Sequence, residues 1–206
     1  MDDIVKTEKL IAQKNGPVGE IIFNNPAKRN AVSLDMWQRL HDVLAEFEED
    51  PDIRVLVLSG AGGKAFVSGA DISKFESERA TKEAVEAYGA VSKAASSRLY
   101  NFPRPTIAKI HGFCVGGGVG IAVCCDMRFC GERSRFAIPA AKLGVGYGFA
   151  GVKRLADIVG TSRTMEIFYT ARQFTAAEAY EMGLVNRVLP ESMLDRYVED
   201  YTDMIA

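Results

Sequence analysis

Hydrophobic and polar positions at the start of the chain predict two strands, a helix and a third strand. The runs 9–13 and 18–23 are rich in apolar residues and are separated by the turn sequence Asn15-Gly16-Pro17, which is typical of a connection between two strands. After Ser33, a suitable helix N-cap, apolar residues recur at helical spacing through Phe47. The short β-branched run 55–58 predicts a buried strand of a parallel sheet.

The rest of the chain continues this alternation of strands and helices. A charged stretch from Lys74 leads into a predicted helix that ends near Leu99. Further strands are predicted at 106–110, 127–130, 135–138 and 184–188, and helices are predicted at 152–159, 164–169 and after Pro190. The alternation indicates α/β architecture, and no segment is rich enough in Pro, Gly or Ser to divide the chain into two domains.

Composition and charge narrow the classes of function. The 206 residues carry 25 Lys and Arg against 27 Asp and Glu, a net charge of −2, so a nucleic-acid partner is not expected. No apolar run approaches the length of a membrane span, and the acidic start Met1-Asp2-Asp3 does not resemble a targeting segment. These features favour a cytoplasmic protein that does not associate with a membrane.

The four cysteines lie between Cys114 and Cys130 among apolar residues, and the chain has only two histidines. A zinc site needs about four well-spaced ligands, and no C-x-x-C pair is present. We therefore expect reduced thiols packed in the core and no bound metal.

Two glycine-bearing turns carry the first candidate chemistry. Residues 68–71 (SGAD) and 115–119 (VGGGV) each follow a predicted strand at a point where a helix can begin. Glycine lets a ligand approach the backbone closely, and free N–H groups at such a turn favour a negative oxygen. If the turns lie side by side, they can hold one developing oxyanion between two N–H donors. Tight packing between helix and strand explains the glycines equally well.

Two other interpretations of the glycines fit less well. Segment 60–64 resembles a phosphate-binding loop, but Ala65 stands where Ser or Thr is required. Segment 116–120 has the spacing G-G-G-x-G rather than the G-x-G-x-x-G of a dinucleotide site. A nucleotide-dependent oxidoreductase is therefore a minor alternative.

Several ordered motifs resemble the crotonase superfamily, which is the enoyl-CoA hydratase/isomerase family. The resemblance runs from about Leu10 to Pro190 and rests on the segments NPAKRNA (25–31), VLVLSG (55–60), KAFVSGADI (64–72), PTIAKIHG (105–112), GGG (116–118), CDMR (125–128), LG (143–144) and GLVNRV (183–188). It implies a spiral of β-β-α units over residues 1–190, followed at 191–206 by the start of a C-terminal helical region. Members of this family continue further, so we expect that helical part to be shortened here, either as a fragment or as a short variant.

The resemblance also implies a site for an acyl-coenzyme A thioester. The N–H groups of Ala70 and Gly117 match the family's oxyanion donors, in agreement with the two-turn hypothesis. Residues matched to coenzyme A contacts are Lys28, Arg29, Ala31, Ala70, Asp71, Ile72 and Ser73. For Lys28 and Arg29, a role as solvated loop charges remains an alternative. No cofactor beyond the coenzyme A part of the substrate is implied.

The sequence departs from the family where proton transfer is concerned. Hydratases of the family use two glutamates, and the matching positions here are Gly120 and Ala140. Tyr147, flanked by glycines, could contact the substrate or serve as an acid, and the alternative is a plain packing role. His111 has a suitable pKa but is expected to form local turn hydrogen bonds.

These observations predict an enzyme of the enoyl-CoA hydratase/isomerase group that stabilises an enolate and lacks both usual glutamates. The alternative is an acyl-CoA-binding protein with little or no catalysis. We also predict a homo-oligomer, a trimer or a dimer of trimers, because the last helix would otherwise expose its apolar stripe.

Overall fold

The computed structural model describes residues 8–71 and 81–206. Its strands are β1 (Leu10–Asn15), β2 (Val18–Phe23), β3 (Val55–Gly60), β4 (Ala65–Val67), β5 (Thr106–Ile110), β6 (Phe113–Val115), β7 (Met127–Gly131), β8 (Arg135–Ala137), β9 (Phe174–Thr175) and β10 (Arg187–Leu189). Its helices are α1 (Leu34–Glu49), α2 (Lys82–Tyr100), α3 (Gly117–Ala122), α4 (Ala140–Leu143), α5 (Phe149–Val159), α6 (Thr161–Thr170), α7 (Ala176–Glu181) and α8 (Glu191–Ile205).

The strands form two sheets that the chain visits alternately. The larger sheet has the order β1-β2-β3-β5-β7-β10, and the smaller has the order β4-β6-β8-β9. Pairing is parallel except for β1 with β2 and β8 with β9. Strands β3, β5 and β7 each enter the larger sheet, and the next strand of each repeat, β4, β6 or β8, enters the smaller sheet before a helix follows. The predicted spiral of β-β-α units is therefore confirmed.

The predicted buried strand 55–58 is confirmed. It is apolar on both faces because an apolar cluster covers each face. Leu56 and Leu58 face the main core, while Val55 and Val57 face a second apolar cluster beneath α8. Successive side chains of a strand point to opposite faces, so a strand covered on both sides needs an unbroken apolar run.

Helix α8 packs on the face of the larger sheet that lies away from the main core. Leu194 and Val198 are buried in the second cluster, and the ring of Phe129 meets Tyr197 and Tyr201 at centroid distances of 5.3 and 4.9 Å. The expectation that this helix exposes its apolar stripe is therefore wrong, because the sheet itself covers it.

The last predicted strand begins later than the sequence pattern indicates. Leu184 and Val185 are buried but lie in a loop, and pairing with β7 starts only at Arg187 opposite Phe129. The buried guanidinium of Arg128 explains the shift, because its Nε donates to the Leu184 carbonyl at 2.8 Å. A carbonyl engaged by a side chain is not free to extend a strand ladder.

Within residues 8–71 and 81–206, no helix is long and apolar enough to cross a membrane. The same part of the chain holds no group of three or more His, Cys, Asp or Glu side chains that could bind a metal.

Candidate functional site

The backbone around Ala70 is arranged so that its N–H is left unused. Val32 runs beside this turn, donating its N–H to the Gly69 carbonyl at 2.8 Å and accepting from the N–H of Asp71 at 2.9 Å. These two bonds lie on either side of Ala70, whose own N–H donates to no acceptor among the described residues. Because Ala70 is only half-buried, a ligand oxygen can reach this group.

Gly117 offers a second unused N–H at the start of α3. Gly116, at φ +56°, donates its N–H to the Ala137 carbonyl at 2.8 Å and turns the chain into the helix. The first N–H groups of a helix have no partner within it, and that of Gly117 donates to no acceptor in the described part of the chain. The residue is half-buried.

The two turns lie side by side, as the oxyanion hypothesis requires. A Cβ placed on Gly117 would lie 3.9 Å from both the Cα and the carbonyl carbon of Gly69. A Cβ on Gly118 would lie 2.1 Å from the carbonyl oxygen of Val67, a severe clash. Packing therefore explains Gly118, while Gly117 makes no contact that would exclude a side chain.

The loop that precedes α1 is shaped by Asn30, a residue that the sequence analysis did not single out. Its side chain is fully buried, accepts from the N–H of Asn25 at 2.9 Å, and donates to the carbonyls of Ala61 and Ala65 at 3.0 and 2.7 Å. Asn30 also has φ +58°, a conformation that asparagine tolerates better than most residues. That tolerance was the only sequence signal for its role.

Among the residues matched to coenzyme A contacts, Lys28 and Asp71 form an ion pair. The Lys28 Nζ lies 2.9 Å from a carboxylate oxygen of Asp71, whose side chain is 4% exposed, whereas that of Lys28 is 47% exposed. The buried carboxylate thus places the ammonium group beside the turn that carries Ala70.

The other matched residues lie on the same loop or outside the described chain. Arg29 is exposed, and its guanidinium lies over the ring of Phe113, 5.0 Å from the centroid. Ala31 is buried next to it. Ile72 and Ser73 lie outside the described residues.

The two positions matched to the family's glutamates differ in their surroundings. A Cβ on Gly120 would meet no atom within 4 Å, so space is open where a longer side chain would extend. Ala140 begins α4 and is 7% exposed. Neither residue carries a group that can donate or accept a proton from its side chain.

Tyr147 reaches the junction of the two turns. Its hydroxyl oxygen lies 3.6 Å from the point where a Cβ of Gly116 would stand, and its ring packs edge-on against Phe168 with centroids 5.1 Å apart. Burial raises the pKa of the phenol above its usual value, so the hydroxyl is protonated at neutral pH.

His111 does not form the expected local turn hydrogen bonds. Its Nδ1 lies 2.9 Å from a carboxylate oxygen of Glu191 and its Nε2 lies 3.4 Å from one of Asp195, both on α8. Asp126 accepts from the N–H and the hydroxyl of Thr106 at 2.8 Å each. Both residues connect distant elements, and neither contacts the two turns in the hydrogen bonds that the described chain forms.

The fold consists of two sheets joined by repeated β-β-α units. Two adjacent turns of this fold present unused N–H groups, so the protein belongs to a class that can hold an oxyanion against its backbone. Comparison with known proteins identifies the family. Residues 13–206 match the enoyl-CoA hydratase/isomerase family, and the chain belongs to this family, within the crotonase superfamily.

Individual relatives differ in the reactions their names describe. The chain is 34% identical over 202 residues to a short-chain-enoyl-CoA hydratase of Clostridium acetobutylicum. This alignment covers 98% of the chain and 77% of the hydratase. The chain is also 35% identical over 213 residues to a peroxisomal Δ(3,5)-Δ(2,4)-dienoyl-CoA isomerase of Arabidopsis thaliana. This alignment covers 98% of the chain and 76% of the isomerase. The crystal structure of an enoyl-CoA hydratase/carnithine racemase from Magnetospirillum magneticum superposes on this chain with a TM-score of 0.93 at 33% sequence identity. The superposition covers 97% of this chain and 75% of the other. These proteins share the acyl-CoA substrate class while differing in reaction.

Proposed function

We propose that this protein binds an acyl-CoA thioester and stabilises its enolate between the N–H groups of Ala70 and Gly117. The observation that carries this proposal is the pair of unused, half-buried N–H groups on two adjacent turns. Removing one such donor from an enzyme costs roughly 10²–10³ in rate. Two fixed donors are therefore enough to make the α proton of a bound thioester much more acidic.

Binding of the coenzyme A part is assigned to the loop 25–31 and to the turn that follows β4. The ammonium of Lys28, held by Asp71, and the exposed guanidinium of Arg29 supply positive charge for phosphate groups. Ala31 is assigned with them to the nucleotide. Ala70, Asp71, Ile72 and Ser73 are assigned to the adenine and pantetheine parts. No other cofactor enters this proposal.

The residues at positions 120 and 140 do not favour hydration as the reaction. Adding water to an enoyl-CoA requires activation of the water and delivery of a proton to the α carbon, and a positioned acid or base is worth roughly 10²–10⁴ in rate. Gly120 and Ala140 provide no such group. The same fact favours the second candidate function, which is acyl-CoA binding with little or no catalysis.

Two activity measurements separate these functions. We expect the protein to exchange the α protons of butyryl-CoA in D2O, followed by NMR, with solvent deuteroxide as the base that takes the α proton and D2O as the acid that returns a deuteron to the α carbon. We expect it to hydrate crotonyl-CoA weakly or not at all. Binding without exchange would support the second candidate. A hydration kcat in the ordinary enzyme range of ~1–10³ s⁻¹ would contradict the claim that the groups needed for hydration are missing at Gly120 and Ala140.

The oxyanion site is tested by adding bulk between the two turns. Because a Cβ on Gly117 makes only an ordinary contact, Gly117→Val is expected to fold and to lose acyl-CoA binding or turnover. Gly89→Val is a matched control, since Gly89 is an exposed helical glycine whose Cβ would meet nothing within 4 Å. Undiminished affinity and activity in soluble Gly117→Val would remove the site assignment.

A trimer or a dimer of trimers remains part of the proposal, on a different surface from α8. Large exposed apolar side chains lie along the segment from α4 to α6, namely Leu143, Val145, Phe149, Met165 and Tyr169. Exposed apolar side chains that gather in a patch often mark an interface, and we assign these residues to one. A monomer in sedimentation at micromolar concentration would contradict it.

A further inference from the structure

The hydroxyl of Tyr147 lies beside Gly116, the residue that precedes the proposed donor Gly117. The position of a Cβ on Gly116 is 3.6 Å from the Tyr147 hydroxyl oxygen and 3.7 Å from the Cα of Gly69. Gly69 in turn precedes Ala70, the other proposed donor. The hydroxyl therefore approaches the junction of the two turns from the side of Gly116.

The ring of Tyr147 is held while its hydroxyl is left without a partner. Phe168 meets the ring edge-on at 5.1 Å and is itself packed against the main core. Among residues 8–71 and 81–206, no group forms a hydrogen bond with the Tyr147 hydroxyl. Because Tyr147 is 37% exposed, a ligand can reach its hydroxyl and supply the acceptor that the described residues do not provide.

We propose that the Tyr147 O–H donates a third hydrogen bond to the thioester oxygen that the N–H groups of Ala70 and Gly117 hold. This inference rests on the proposed function, and it assigns Tyr147 to enolate stabilisation rather than to packing. As negative charge grows on that oxygen, a hydrogen bond to it becomes charge-assisted and stronger. The proton stays on the phenol throughout, so no further group is needed to replace it.

The protonation state agrees with a donor and disagrees with a base. Burial raises the pKa of the phenol, so the donor form persists through neutral pH and beyond the usual phenol pKa of about 10. A tyrosinate base would require the opposite shift. The exchange rate is therefore expected to depend little on Tyr147 ionisation between about pH 6 and 9.

The test compares Tyr147→Phe with the unmodified protein on butyryl-CoA labelled with ¹³C at the thioester carbonyl. Tyr147→Phe keeps the ring contact with Phe168 and removes only the hydroxyl. We expect the bound carbonyl to lose part of its ¹³C shift relative to the free thioester, and α-proton exchange to fall by roughly 10²-fold, as for loss of an oxyanion donor. Affinity for free coenzyme A is expected to stay the same. Tyr180→Phe, at an exposed position of α7, is the control.

The outcomes separate this inference from the proposed function. An unchanged carbonyl shift and exchange rate in Tyr147→Phe, with a shift present in the unmodified protein, would overturn the role of Tyr147 alone. No carbonyl shift in the unmodified protein would overturn the oxyanion site and this inference together. If the exchange rate rises with pH and Tyr147→Phe loses that pH dependence, Tyr147 acts as a base. That result would also overturn the proposed donor role of Tyr147.

Discussion

The two turns and the segment 140–151 face the same site but are built in opposite ways. Around the turns, a Cβ on Gly60, Gly112 or Gly118 would lie 2.1–2.2 Å from a backbone oxygen. In the other segment, a Cβ on Gly144, Gly146, Gly148 or Gly151 would meet nothing within 4 Å. Backbone packing constrains the first region at these three glycines, whereas the second region is largely exposed.

This difference separates two parts of the chemistry. The N–H donors of Ala70 and Gly117 belong to the packed region, where small shifts are resisted because interiors are close-packed. Tyr147, which contacts the thioester oxygen in our proposal, belongs to the exposed segment, whereas Ala140 at its start is buried. Function is commonly varied on loops that a rigid scaffold positions. A side chain at position 147 can therefore change without moving the two backbone N–H donors.

The largest expected effect is on stability, within a single helix. Gly118→Ala places a Cβ 2.1 Å from the Val67 carbonyl oxygen, and overpacking of this kind typically costs about 1–3 kcal/mol or more. Gly120→Ala, two residues away on α3, meets nothing and should gain about 0.5–1 kcal/mol from helix propensity. Urea unfolding of the two variants is expected to move in opposite directions. Similar midpoints would show that packing does not constrain α3.

A smaller destabilisation is expected from Asn30→Ala. The substitution removes three hydrogen bonds of a buried side chain, and leaving buried partners unsatisfied costs about 1–3 kcal/mol. Since the same loop carries Lys28 and Arg29, affinity for coenzyme A should also fall. Asn101→Ala, which removes an exposed side chain bonded to the Ser97 carbonyl, is the control and should stay within ~0.5 kcal/mol. Calorimetry and a coenzyme A titration would test both parts.

The smallest effect concerns thiol reactivity and leaves stability unchanged. Each of the four cysteines is buried, and burial raises the pKa of their thiols, that of Cys130 to about 12. Because only the thiolate reacts, the native protein should not react with a disulfide reagent at pH 8. Val85→Cys, at an exposed position of α2, should add one fast-reacting thiol. A reactive thiol in the unmodified native protein would contradict the packed description.

Several elements were predicted correctly because their signals are local. The strands 18–23 and 106–110 have the predicted bounds, since apolar β-branched runs and adjacent turns act within a few residues. Thr175 and Glu178 have the spacing of a capping box, and both of its hydrogen bonds form at the start of α7. The order of these elements, together with the family resemblance, was enough to predict the fold.

The contacts that assemble the site depended on the tertiary structure. Lys28 pairs with Asp71 across 43 positions of sequence, and His111 meets Glu191 across 80. The burial of α8 against the sheet likewise reversed an expectation drawn from its amphipathic pattern. No local pattern carries this information.

The amino-acid sequence by itself determined the element types, the glycines at the two turns and the absence of carboxylates at positions 120 and 140. Only the tertiary structure decided that the two turns adjoin and that Tyr147 reaches their junction. It also left the N–H groups of Ala70 and Gly117 without partners in the described chain. The physical reason is range, because propensities and caps act over one turn or strand, whereas these relations depend on how distant segments pack.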